Sequence, residues 1–246
     1  MVFFSGDLNV IQDSIKKISD KISRDYVELE VLQNSHKGTL GFADMTIDFI
    51  KKKLYEYFKS KKPNYDIIFL GEKVNENELK SNYRYLISPL CGKINLMHSI
   101  PYFSTSVALM KKDTDGKFHT ICGVIDNTIT QETFIVESGK GAYVNSRRIR
   151  VSNRSNLKDS VIAIKNVENK DFVANIIKKY PNVMVNNCEV LNICGVACGK
   201  YDATILEKSA EYQELSLLLV KEAGGLVKKL DNGNIVVCCD NLYSQF

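Results

Sequence analysis

The run from Ile87 to Thr105, ISPLCGKINLMHSIPYFST, concentrates the side chains with the widest chemical scope. Cys91, Gly92 and Lys93 stand together at its centre. A thiol beside an ammonium and a helix start has a lowered pKa and can act as a nucleophile. No His or Asp nearby in sequence offers itself as the base, and most free cysteines are inert packing groups. Lys93, together with the backbone N–H groups of Gly92, Lys93 and Ile94, suits an anion such as phosphate. The run also has the rhythm of a metal-dependent strand and loop, yet it contains no carboxylate. A hard cation such as magnesium requires anionic oxygen ligands, so any such ion would have to be held from elsewhere in the chain.

The elements that must position this loop are legible as periodicities. Leu8, Ile11, Ile15, Ile18, Ile22 and Val27 recur at helical spacing across residues 7–31. Ile47, Ile50, Leu54 and Phe58 do the same across 44–61, and Pro63 stops that helix. YDIIFLGE and YRYLIS read as strands, with a polar loop over 74–84. FSTSVALMKK and FHTICGVIDN flank the hairpin signal DTDG, and ETFIVES and GAYVN flank GKG. Further on, SVIAI, the segment after Pro181, DATIL, LVKKL and IVVCC read as strands. They alternate with helices in ENKDFVANIIKKY, VLNICGVACGK and EYQELSLLLVKEAGG, the last ended by Gly224 and Gly225. Two helices, consecutive hairpins and then alternating α and β elements imply sheets layered with helices.

Composition sets the class. The chain has 246 residues, 44% hydrophobic and 25% charged, which is ordinary for a globular protein that buries a core without staples. A net charge of +4, spread along the chain, does not by itself point to nucleic acid. The basic turn NSRRIR at 145–150 reads as a solvated hairpin edge rather than an RNA contact. The N-terminal MVFFSGDLNVIQDSIKK turns polar after its first residues, without a leader's apolar run, and no stretch is long enough for a membrane span. Seven cysteines without CxxC or zinc spacing read as reduced thiols in a cytoplasm. Cys194 and Cys198, one helical turn apart, read as packing groups on a buried face.

YLISPLCGKINLMHSIPYFSTSVAL resembles the signature loop of the inositol monophosphatase family, with Pro89, Leu90, Gly92, Asn95, His98 and Pro101 in register. GVIDNTITQETFIVESGKGAYVNSRRIRVSNRSNLKDSVIA is similar to that family's long hairpin, and VACGKYDATILE and LLLVKEAGGLV to its later helices and strand. The resemblance spans nearly the whole chain. LQNSHKG before the second helix is similar to the bacterial branch of extragenic suppressor phosphatases.

The resemblance implies two or three magnesium ions held by carboxylates, activating water against a phosphomonoester. Carried over residue by residue, that ligand set is depleted. Ser88 and Cys91 stand at the two loop aspartates, flanking Leu90, whose position supplies a carbonyl. Lys93 stands at the threonine that orients the nucleophilic water, and Tyr212, in Glu211–Tyr212, at a third metal aspartate. Glu72 survives from the acidic strand end, but Lys73 follows it. Ile47 stands where the second helix should carry an acid, with Asp44 and Asp48 nearby as substitutes. Asn187, Cys188 and Glu189 stand roughly at the substrate turn, and Glu207 matches a substrate-contacting glutamate weakly.

The expected fold is therefore a layered α-β-α-β-α sandwich of the inositol monophosphatase and sugar phosphatase type. Residues 1–150 form an N-terminal α+β subdomain carrying the former metal loop, and 151–246 a C-terminal α/β subdomain, together one unit. The expected function is that of an inactive relative acting by binding, with a link to RNA processing or transcription by resemblance only. The alternatives are a weak magnesium-dependent phosphomonoesterase and a metal-free anion sensor working through Lys93. No cofactor is expected, or at most one weak magnesium at Glu72, Asp44 and Asp48. In the first reading Lys93 pairs with Glu72 and neutralises the vacated site. A homodimer and a protein or RNA partner follow from the resemblance, without a membrane.

Overall fold

The computed structural model describes residues 4–31, 36–75, 79–165, 169–207 and 214–246. The amphipathic periodicity of the N-terminal third becomes two long helices, α1 (Gly6–Val31) and α2 (His36–Lys61). Leu8, Ile11, Ile15, Ile18 and Ile22 of α1 are buried as their spacing demands, but Val27 is exposed and Leu29 takes the inward place. α2 begins well before Asp44. Gly38 and Gly41 argue against helix on propensity alone, and burial of Thr39 and Ala43 beside α1 overrides it. A buried Asp25 on α1 accepts from Thr46 Oγ1 of α2 at 3.0 Å and pairs with Lys21, fixing the two helices against each other.

Behind them lies a seven-stranded sheet in simple sequence order: β1 (Asp66–Phe69), β2 (Tyr83–Cys91), β3 (Ser104–Lys112), β4 (Phe118–Asn127), β5 (Glu132–Glu137), β6 (Gly141–Val144) and β7 (Arg147–Arg148). β1 is parallel to β2, and the other neighbours are antiparallel. Short antiparallel connections explain that order, since hairpins need only a tight turn. Asn145 and Ser146 both take positive φ, at 47° and 67°, turning β6 into β7. Arg147 and Arg148 are exposed on this edge strand, the position at which charge discourages further pairing.

Alternate residues on these strands face opposite ways, so the sheet has two apolar faces. Tyr85, Ile87, Val107, Leu109, Cys122 and Val124 pack under α1 and α2. Ala108, Ile125, Phe134, Val136 and Ala142 pack instead against α5 (Glu189–Ala197) and α6 (Glu214–Glu222). Those helices also meet Leu206 and Val237 from the second sheet. That sheet runs in the order β11 (Leu226–Lys229), β12 (Ile235–Cys238), β10 (Ala203–Leu206), β8 (Ile162–Lys165), β9 (Val183–Asn186). Its far face, through Ile162, Ile164, Ile205 and Val236, covers Phe172 and Ile176 of α4 (Lys170–Lys179). The layers thus read α1/α2, sheet, α5/α6, sheet, α4, as the sequence analysis expected. Among the described residues, no helix is long and apolar enough to cross a membrane.

Two polar ties span the layers. Glu222 of α6 accepts from the Gly139 and Gly141 amides at 2.7 and 2.8 Å, anchoring the GKG turn. Asp202, fully buried before β10, accepts from Ser152 Oγ, from Arg154 at 3.1 Å and from the Val161 amide at 2.8 Å. A buried charge survives only with such donors around it.

Candidate functional site: the loop after β2

β2 cannot run straight into its loop. Its pairing with β3 slips between Ser88 and Cys91, and Thr105 Oγ1 donates to the Pro89 carbonyl at 2.8 Å, closing the irregular stretch. Gly92 then takes φ 93°, a left-handed conformation that a Cβ disfavours. A Cβ there would also lie 3.1 Å from both the Tyr102 carbonyl oxygen and Phe103 Cβ. The turn launches α3 (Lys93–Met97), a single short helical turn that the sequence reading did not separate from the loop. It buries Asn95, Leu96 and Met97 and leaves Ile94 and His98 outside. Asn95 Nδ2 donates to the Tyr102 carbonyl at 2.6 Å and its Oδ1 accepts from Asn187 at 3.3 Å, so the loop is tied to the segment before α5.

The charged candidates resolve into two ion pairs. Lys93 pairs with Asp44 on α2, not with Glu72 as one sequence reading had it. Glu72, at the end of β1, pairs with Lys51 of α2 at 2.5 Å. The sequence separation of these partners, 49 residues in one pair and 21 in the other, hid them from local reading. All four side chains are substantially solvated. Asp48 is exposed on the neighbouring turn of α2. Ser88 is buried, Leu90 half-buried, and Tyr212 lies outside the described residues. Among the described residues, no group of three or more His, Cys, Asp or Glu side chains is placed to hold a metal ion.

Glu207 stands apart from the ion pairs. It ends β10, accepts from Asn169 Nδ2 at 2.9 Å, and lines a cleft of about 350 Å³ with Asp171, Asn175 and Asn232.

The least legible part of the site is its floor. Cys188 stands at the N-cap of α5, and its thiol, fully buried, shares its one proton between Cys91 Sγ at 3.3 Å and the Cys91 carbonyl at 3.4 Å. That donated proton lowers the Cys91 thiol pKa, with help from the Val190 amide. Burial drives the Cys188 thiol the other way. Next to it Glu189 is 4% exposed and its Oε1 has no hydrogen-bond partner among the described residues. Burial raises its carboxyl to about 7, against a smaller opposing pull from Lys165. Further in, Tyr102 donates to Asn192 at 2.9 Å, and Asn192 also accepts from Asn186 at 3.1 Å. Cys194 and Cys198 of the same segment pack into the central core, as their spacing implied.

This geometry has known counterparts. The model of the inositol monophosphatase family matches residues 9–243. An inositol-1-monophosphatase of Mesorhizobium japonicum is 30% identical over 239 residues, 93% of this chain and 87% of that one. The Nus factor SuhB of Pasteurella multocida is 25% identical over 237 residues, covering 92% of this chain and 86% of that one. The crystal structure of the extragenic suppressor protein suhB from Bartonella henselae superposes with a TM-score of 0.80 at 25% identity, over 98% of this chain and 97% of that one. With a family match across almost its whole length and the family's layered fold, this chain belongs to the inositol monophosphatase family.

Proposed function

We propose that this chain is a family member that has given up the two-magnesium phosphatase mechanism and acts by binding. The observation that carries the reading is the pair of lysines. Asp44 and Glu72, the carboxylates best placed to keep a cation, are each engaged by an ammonium group, Lys93 and Lys51. At the neighbouring family positions Ser88 and Cys91 offer a hydroxyl and a thiol. Magnesium wants several hard anionic oxygens in octahedral array, and this donor set does not fit a two-ion site. No hydrolytic step is therefore derived through magnesium.

The bound partner is proposed as protein or RNA of the transcription and RNA-processing machinery. Support for this comes from the relatives named Nus factor. A homodimer in the cytoplasm is proposed on family resemblance and on the thiol state of all seven cysteines.

The phosphomonoesterase reading is favoured by the relatives named inositol-1-monophosphatase and would require Asp44 and Glu72 to exchange their lysines for a cation shared with Asp48. The two readings separate on inositol-1-phosphate and an aryl phosphate, assayed with and without magnesium. Binding alone predicts no turnover. Magnesium-dependent turnover abolished in Glu72→Gln supports the enzyme. A third outcome, thermal stabilisation by inositol or sugar phosphates without metal and lost in Lys93→Ala, identifies Gly92, Lys93 and Ile94 as an anion site.

A further inference from the structure

We propose that Cys91 and Cys188 form a redox-active dithiol, a modification site that closes to a disulfide on meeting a hydroperoxide. The two sulfurs lie 3.3 Å apart although the residues are 97 apart in sequence. A disulfide needs about 2.05 Å between sulfurs, so closure requires a shift of roughly an ångström rather than a rearrangement. Both residues sit at element ends: Cys91 is the last residue of β2, after its irregular stretch and before the glycine turn, and Cys188 precedes α5. Helix N-caps are usually Ser, Thr, Asp or Asn, whose oxygen accepts from the first turn. Here the N-cap makes no side-chain cap bond, and its thiol points across the layer boundary at Cys91.

The division of labour follows from exposure. Cys91 is half-buried, whereas Cys188 is sealed in. Cys91 is thus the attacking sulfur, reacting as its thiolate, the nucleophilic form. The Cys91 thiolate attacks the terminal oxygen of the hydroperoxide. An S–O bond forms, the O–O bond breaks, and the departing alkoxide takes up a proton to leave as alcohol, or as water from hydrogen peroxide. Cys91 is left as a sulfenic acid. The Cys188 sulfur then attacks Cys91, the S–S bond forms, and hydroxide leaves with the Cys188 proton as water. Two thiols lose two electrons and the peroxide gains them. The product staples the loop after β2 to the start of α5, joining the seven-stranded sheet to the helix layer behind it.

The test uses the full chain with hydrogen peroxide, followed by unfolding, alkylation and mass spectrometry. Alkylatable thiols should fall from seven to five. The tryptic peptides 85–93 and 180–200 should become linked, with fragmentation placing the bridge on Cys188 rather than Cys194 or Cys198. In Cys188→Ser, dimedone should trap a lasting sulfenic acid at Cys91, and Cys91→Ser should show neither product. Retention of all seven thiols in the wild-type chain, or a bridge between any other pair, overturns the proposal. The wild-type mapping decides even if a variant folds poorly.

Discussion

Replacing Glu189 with Gln should make the protein more stable above neutral pH, because the change removes a buried carboxyl beside the Cys91–Cys188 contact. Glu189 is 4% exposed, its Oε1 has no hydrogen-bond partner among the described residues, and burial raises its carboxyl from 4.5 to about 7. The groups around it are Lys165 from β8, whose charge opposes the rise, and the Cys91 and Cys188 thiols. A carboxyl with a raised folded-state pKa holds its proton when the unfolded chain has already released it. Between about pH 4.5 and 7 the native state therefore binds more protons than the unfolded state, and stability falls as pH rises. At about 1.4 kcal/mol for each pH unit, the full loss is roughly 3 kcal/mol, reached near pH 8. For a chain of this length that corresponds to about 6–12 °C in Tm. Glu189→Gln keeps the shape and removes the titration. Guanidinium unfolding of both proteins from pH 5 to 8 should show wild type losing stability relative to the variant as pH rises. Parallel curves across that range would refute the burial argument.

Other perturbations follow from single contacts. Tyr85→Phe should leave stability unchanged or raise it by about 1 kcal/mol in denaturant titration, because the Tyr85 hydroxyl is buried without a hydrogen-bond partner among the described residues. Gly123→Ala should cost at least ~2 kcal/mol, since a Cβ would lie 2.4 Å from the Val107 carbonyl oxygen and 2.6 Å from Leu215. Lys93→Ala should change stability by less than about 1 kcal/mol, the usual range for so exposed a pair. Combined with Lys51→Ala it frees Asp44 and Glu72, and the double variant should then gain a magnesium-dependent thermal shift that wild type lacks.

The fold was legible because its signals are local. Isoleucines three and four apart on α1, apolar runs in β3 and β4, and DTDG between them each specify an element without reference to the rest of the chain. Val27, five residues beyond Ile22, falls off the helical stripe and is exposed, whereas Asp25 and Leu29 continue it and are buried. Tertiary packing accounts for the other departure. α2 extends through two glycines because its first turns are held against α1. The site was legible only as departures from a family pattern. Ser88, Cys91 and Lys93 could be identified by register with a family pattern. Their partners could not, since Asp44 reaches Lys93 and Cys188 reaches Cys91 only once β2, α2 and α5 have been brought together by the core. Glu189 carried no signal as a buried carboxylate, since its burial depends on where α5 packs.

With lysines in place of magnesium at this site, phosphatase chemistry should be absent. The most direct measurement is phosphatase turnover on inositol-1-phosphate with and without magnesium, run beside a magnesium thermal shift on the same protein. The account predicts no turnover and no shift. Magnesium-dependent turnover that disappears in Glu72→Gln would contradict it.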